Sequence, residues 1–164
     1  QLSDDESWSL HAARLMIGGK IQNYRNILRR YIVSYGENED VNQAVQVLEH
    51  AKREALTAQD KTTLIGYEGM ASNAYFEVLP ILILNQKADF PFHGRNRRPP
   101  KDAVNAMLSF AYTLIANEIS AALETVGLDP YVGFLHTLRP GRTSLALDMM
   151  EEFRAYLGDR LSCH

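Results

Sequence analysis

The sequence predicts an all-α protein: a single domain of five or more helices packed around a buried apolar central helix. Two observations carry that prediction. Apolar residues recur at three- and four-residue steps along the long segments, whereas no useful stretch alternates with period two. Residues that start and stop helices, among them Asp40, Asp102, Gly36 and Gly127, punctuate those segments.

The first predicted helix covers residues 7–35 and is rich in arginine. Leu15, Ile21, Tyr24, Leu28, Tyr31 and Ile32 make its apolar stripe, Gly18-Gly19 marks a weak point or bend, and Gly36 ends it. The second covers residues 40–59, with Asp40 as N-cap and a stripe through Val41, Ala44, Val45, Leu48, Ala51, Ala55 and Leu56. Residues 62–85 are the most apolar segment, and its charged residues are Glu68 and Glu77. That composition predicts a helix buried on most sides, kinked or ended by Pro80. Residues 86–101 combine prolines with basic residues and predict a mobile loop. A fourth helix spans 102–127, capped by Asp102 and closed by Gly127; at 1.5 Å per residue it runs roughly 37 Å. The last helix starts near Thr143 or Ser144 and continues to about residue 161.

The totals narrow the function. A chain of 164 residues suits one domain with a real core. Apolar residues make up 46% and charged residues 23%, as in ordinary globular proteins. A formal net charge of −3 argues against a general polyanion binder, so any nucleic-acid surface has to come from local charge. The one cysteine, Cys163, permits no internal disulfide and points to a reducing compartment. No run of eighteen apolar residues and no signal peptide is visible, so no membrane association is expected.

Four residues carry candidate chemistry. Glu68 lies in the apolar segment between Gly66 and Gly69. Burying a carboxylate costs several kcal/mol in order of magnitude unless an arginine, a set of N–H donors or a metal offsets it. Small neighbours would let a ligand approach. His136 follows the apolar run Tyr131–Leu135 and reads either as a core histidine or as a ligand. Asp148 and Glu151 are neighbours on one helix face. The stripe Leu145, Met149, Phe153, Tyr156 and Leu157 places them, with Glu152, opposite the core. That face is either solvated or the floor of a metal site. Between His136 and this helix, Arg139 and Arg142 flank a turn that could hold an anion on free helix N–H groups. Lys87, Arg95, Arg97, Arg98 and Lys101 form a basic loop suited to phosphate contact or simply to solvent, and Arg25, Arg29 and Arg30 could extend it.

Two carboxylates and one imidazole favour Mn²⁺, with Mg²⁺ as the alternative. Other metal chemistries lack their motifs: the chain has no paired E-x-x-H, no H-E-x-x-H, no HD dipeptide, no P-loop and no G-x-G-x-x-G.

Three stretches are similar to the C-terminal helical domain of the CRISPR-associated integrase, the endonuclease of the adaptation stage. They are GYEGMASNAYF at 66–76, FPFHGRNRRPPKDAVNAMLSFAYTL at 90–114 and GLDPYVGFLHTLRPGRTSLALDMMEEFR at 127–154. The basic loop resembles the subtype I-C branch. The resemblance implies a metal triad of Glu68, His136 and Glu151, with Asp148 as a supporting acid or alternate ligand. It implies Mn²⁺ or Mg²⁺, double-stranded DNA as substrate, and insertion of spacer DNA into a repeat array by 3′-hydroxyl attack. It implies a homodimer in the whole protein, a small ferredoxin-like partner subunit, an iron–sulfur nuclease in some systems, and the prokaryotic cytoplasm. The family's β-rich N-terminal domain has no counterpart before residue 7, so residues 1–164 read as the catalytic domain alone. The competing expectation is a helical DNA-binding or assembly module without chemistry.

Overall fold

The computed structural model describes residues 5–82, 99–135 and 142–153. Five helices follow one another among them: α1 (Glu6–Tyr35), α2 (Glu39–Thr57), α3 (Lys61–Leu82), α4 (Ala103–Thr125) and α5 (Ser144–Phe153). The all-α expectation holds.

Each start has a local cause. Asp5 accepts the amide hydrogens of Ser7 at 2.9 Å and Trp8 at 3.1 Å, which satisfies two N–H groups of the first turn of α1. At α2 the cap is Asn38, whose side chain accepts from the Val41 amide at 3.1 Å. Asp40, expected as the cap, lies inside the helix instead. Both residue types cap well, and the chain chose the earlier one. Asp60 takes the Thr63 amide and hydroxyl ahead of α3, and Asp102 takes the Asn105 amide ahead of α4. Gly36 closes α1 at φ 94°, and Gly127 follows α4 at φ 78°, left-handed conformations that favour glycine.

α1 runs unbroken through Gly18-Gly19. Gly18 serves packing: a Cβ there would lie 2.9 Å from Leu56 Cδ2, so its bare backbone lets α1 approach α2 closely. Leu15, placed on the apolar stripe by periodicity, is exposed; the buried ridge is Ala13, Ile17, Lys20, Ile21, Tyr24 and Leu28. Pro80 neither ends α3 nor stops it before Leu82.

α1 contacts α2, α3 and α5, and α4 contacts α5. The core joins the α1 ridge to Leu48 of α2, to Leu64, Tyr75 and Leu79 of α3, and to Val104 and Leu108 of α4. Tyr24 and Tyr75 stack at 4.0 Å between ring centroids, an aromatic pair in the middle of it. α3 is buried at Leu64 and along its C-terminal half, while Ile65 and Met70 face outward. A smaller cluster of Leu123, Leu145 and Ala146 ties α4 to α5. By length and composition α4 could cross a membrane. Its Val104, Leu108, Tyr112 and Leu123 are buried against the described helices, while Met107, Phe110 and Leu114 are exposed. α5 thus forms the seam between the α1–α3 group and α4, and the candidate site is built on that seam.

Candidate functional site

Glu68 projects from α3 and Glu151 from α5, and both meet the ammonium of Lys20 on α1. Lys20 Nζ pairs with Glu68 Oε1 and lies 2.6 Å from Glu151 Oε2. Lys20 is only 2% exposed and Glu151 only 5%. Glu68 retains 24% of its side-chain exposure and also accepts the Ser72 hydroxyl at 2.9 Å, one turn along α3. The trio therefore has a buried end at Lys20 and Glu151 and a wetter end at Glu68. A buried ammonium is costly unless paired, and two carboxylates side by side repel. The three groups answer one another's burial.

Lys20 was missed by the sequence reading, which sought an arginine, N–H donors or a metal as the partner of Glu68. The signal was present. Lys20 falls between Ile17, Ile21 and Tyr24, all buried on one ridge of α1, and a lysine on such a ridge needs an acid.

Asp148 and Glu151 of α5 are not solvated. Asp148 is 0% exposed, and with Glu151 it is buried alongside Leu145, Ala146 and Met150. A single apolar stripe misplaces these acids because α5 is covered from two sides, by α1 and by α4. Asp148 has its own partners. Its Oδ2 accepts the amide hydrogens of Phe134 at 2.5 Å and Leu135 at 2.8 Å.

The segment leading to His136 is fastened along its length. The Pro130 carbonyl accepts the Leu145 amide at 2.9 Å and the Ala146 amide at 3.4 Å. Gly133 lies so close to α5 that a Cβ would fall 2.6 Å from Ser144 Cβ and 2.8 Å from Asp148 Oδ2. The Phe134 carbonyl accepts from Ser9 Oγ at 3.1 Å, and the Phe134 ring meets Trp8 edge-on at 4.8 Å. Lys61 Nζ reaches the same Ser9 hydroxyl at 2.9 Å. These contacts correct the anion-nest expectation at the start of α5. The amides of Ser144, Leu145, Ala146 and Leu147 donate to Arg142, Pro130, Pro130 and Thr143 carbonyls, so they are not available to an anion.

His136 and Arg139 lie outside the described residues, as do Lys87, Arg95, Arg97 and Arg98 of the basic loop. Lys101 is exposed and Arg142 half-buried. Arg25 pairs with Glu49 of α2 at 3.0 Å, which commits it to the α1–α2 contact; Arg29 and Arg30 are exposed. Gly66 and Gly69, near Glu68 in sequence, have open space where a Cβ would go.

No group of three metal-binding side chains assembles among the described residues. The donor set still fits a divalent ion. Two carboxylates from different helices converge on one positive charge, and carboxylate oxygen is the donor type that hard divalent cations take.

The sequence matches the family described as CRISPR associated protein Cas1 over residues 1–164. It is 45% identical over 162 residues to the CRISPR-associated endonuclease Cas1 of Leptospira interrogans serogroup Icterohaemorrhagiae serovar Lai, covering 97% of this chain and 63% of that protein. The chain therefore spans less than two thirds of that relative's length. Among solved structures it superimposes on a chain of a partial Cas6-RT-Cas1–Cas2 complex with a TM-score of 0.89 at 27% identity, covering 99% of this chain and 47% of that one. A casposase bound to integration product superimposes with a TM-score of 0.78 at 26% identity, covering 99% of this chain and 46% of that one.

Proposed function

This chain belongs to the CRISPR associated protein Cas1 family, and on that premise we propose that it is the helical catalytic domain of a metal-dependent DNA endonuclease and integrase. The reaction inserts spacer DNA into a CRISPR repeat array. The observation that carries the reading is the convergence of Glu68 and Glu151 from separate helices on one site of positive charge.

In this reading Glu68, Glu151 and His136 hold Mn²⁺ or Mg²⁺. Such an ion would polarise a phosphate oxygen and offset its negative charge. Asp148 acts as a supporting acid. It accepts the amides of Phe134 and Leu135 and so fastens the segment that precedes His136 in the sequence. The basic residues Lys87, Arg95, Arg97, Arg98, Lys101, Arg139 and Arg142 follow the DNA backbone and orient the two strands.

The chemistry balances without a nucleotide cofactor. A 3′-hydroxyl of the incoming fragment forms a new ester bond to phosphorus at the repeat boundary. The ester bond to the neighbouring nucleotide's 3′-oxygen breaks, and that oxygen leaves with a proton. One phosphodiester is exchanged for another.

Its substrates are the spacer precursor and the repeat, both double-stranded DNA, in the prokaryotic cytoplasm. The whole protein acts as a homodimer with a small ferredoxin-like adaptation subunit, and an iron–sulfur nuclease joins it in a subtype I-C setting. The Cas1–Cas2 assembly named for the structural neighbour supports the partner subunit. The casposase bound to integration product supports strand transfer as the reaction.

The test is strand transfer of labelled DNA in Mn²⁺ by Glu68→Ala protein beside the parent. Loss of joined product with DNA binding intact supports the assignment. Full activity of the variant would reject the role of Glu68, whereas DNA binding by the parent without any joined product would leave a non-catalytic DNA-binding or assembly module.

A further inference from the structure

We propose that Lys20 is a built-in counter-cation of this site: its ammonium holds Glu68 and Glu151 together before a divalent ion arrives, and the ion binds in competition with it. The inference rests on the metal-site reading of the two glutamates and adds a positioning residue to it.

The geometry leads there directly. One ammonium serves both carboxylates, and Lys20 and Glu151 are buried almost completely. Without it, α3 and α5 would bring two like charges into a poorly solvated seam, and the helices would be driven apart. With it, the two acids are already gathered around one positive charge. A second cation placed between the same oxygens meets the lysine's charge at close range, in surroundings that screen it poorly. Glu68 is the most exposed member of the trio, keeping 24% of its side-chain exposure. The ion therefore enters from the Glu68 side while Lys20 approaches from the α1 side. A single positive charge keeps the site organised, and a doubly charged ion outcompetes it.

Lys20→Met removes the charge and keeps an unbranched chain of similar reach. The expected result is a lower melting temperature without metal, together with Mn²⁺ binding at least about tenfold tighter by titration calorimetry. A merely structural lysine would give the first effect without the second. Lys20→Arg retains the charge and is expected to bind Mn²⁺ no tighter than the parent. A measurement on the unaltered chain needs no variant: the ¹⁵N resonance of Lys20 Nζ is expected to move on saturation with Mg²⁺. Mn²⁺ binding by Lys20→Met that is equal to or weaker than the parent's would overturn the competition, as would an unmoved Nζ resonance in Mg²⁺-saturated protein. Failure of the parent itself to take up Mn²⁺ is a different result; it removes the metal-site reading and this inference with it.

Discussion

Glu68 on α3 and Glu151 on α5, remote in sequence, share one counter-ion in the ammonium of Lys20. Three helices thereby become mutually dependent at a single point. Glu68→Gln keeps the Lys20–Glu151 pair and the approximate shape, so the fold is expected to survive. Strand transfer is expected to fall by about a hundredfold or more, since an amide is a poor ligand for a divalent ion. Circular dichroism and a joining assay on the same preparation check both halves.

Asp148 is the buried acceptor for the Phe134 and Leu135 amides. Asp148→Ala leaves both donors without that partner and is expected to cost about 2–4 kcal/mol in urea unfolding. Asp148→Asn can still accept through its amide oxygen and is expected to lose less. Equal losses for the two variants would argue against the hydrogen bonds as the source of stability.

Gly133 has no room for a side chain. A Cβ there would collide with Ser144 and with Asp148 Oδ2, and one of the crowded atoms is backbone. Gly133→Ala is expected to lower stability by about 1–3 kcal/mol. The same clash displaces the carboxylate that anchors Leu135, so joining activity is expected to drop further than stability alone explains. Activity per folded molecule that matches the parent would contradict that coupling.

Acid sensitivity is expected from two helix starts. Asp5 is held below the ordinary carboxylate value of 3.8, first by the Ser7 hydroxyl and then by the Trp8 amide. Asp60 is lowered from the same value by the Thr63 amide and then by its hydroxyl. A depressed folded-state value means that the unfolded chain takes up protons first. The stabilisation is therefore present above the unfolded value and disappears as pH falls through the folded one. Asparagine caps without titrating, so the Asp5→Asn/Asp60→Asn double variant is expected to lose less melting temperature than the parent between pH 6 and pH 3. An identical loss would show that these caps do not set the acid limit.

Much of the fold was legible because its helices obey one period and carry side-chain caps. The errors have physical sources. Asn38 and Asp40 are competent caps two positions apart, and composition cannot choose between them. Gly18 looked like a weak point, yet at a close helix crossing its missing side chain is what packing requires. At the site, Glu68 was legible as a carboxylate in an apolar segment. Lys20 was hidden by the arginine-rich helix around it, although its position among Ile17, Ile21 and Tyr24 marked it as buried. The burial of Asp148 and Glu151 was not legible from the wheel of α5, since a helix covered on two flanks has no single apolar stripe to read.

Electron paramagnetic resonance of bound Mn²⁺ tests the shared cation site most directly. The account predicts one tightly held ion per chain in the parent, lost in Glu68→Gln and lost again in Glu151→Gln. An ion retained with unchanged affinity in both variants would contradict it.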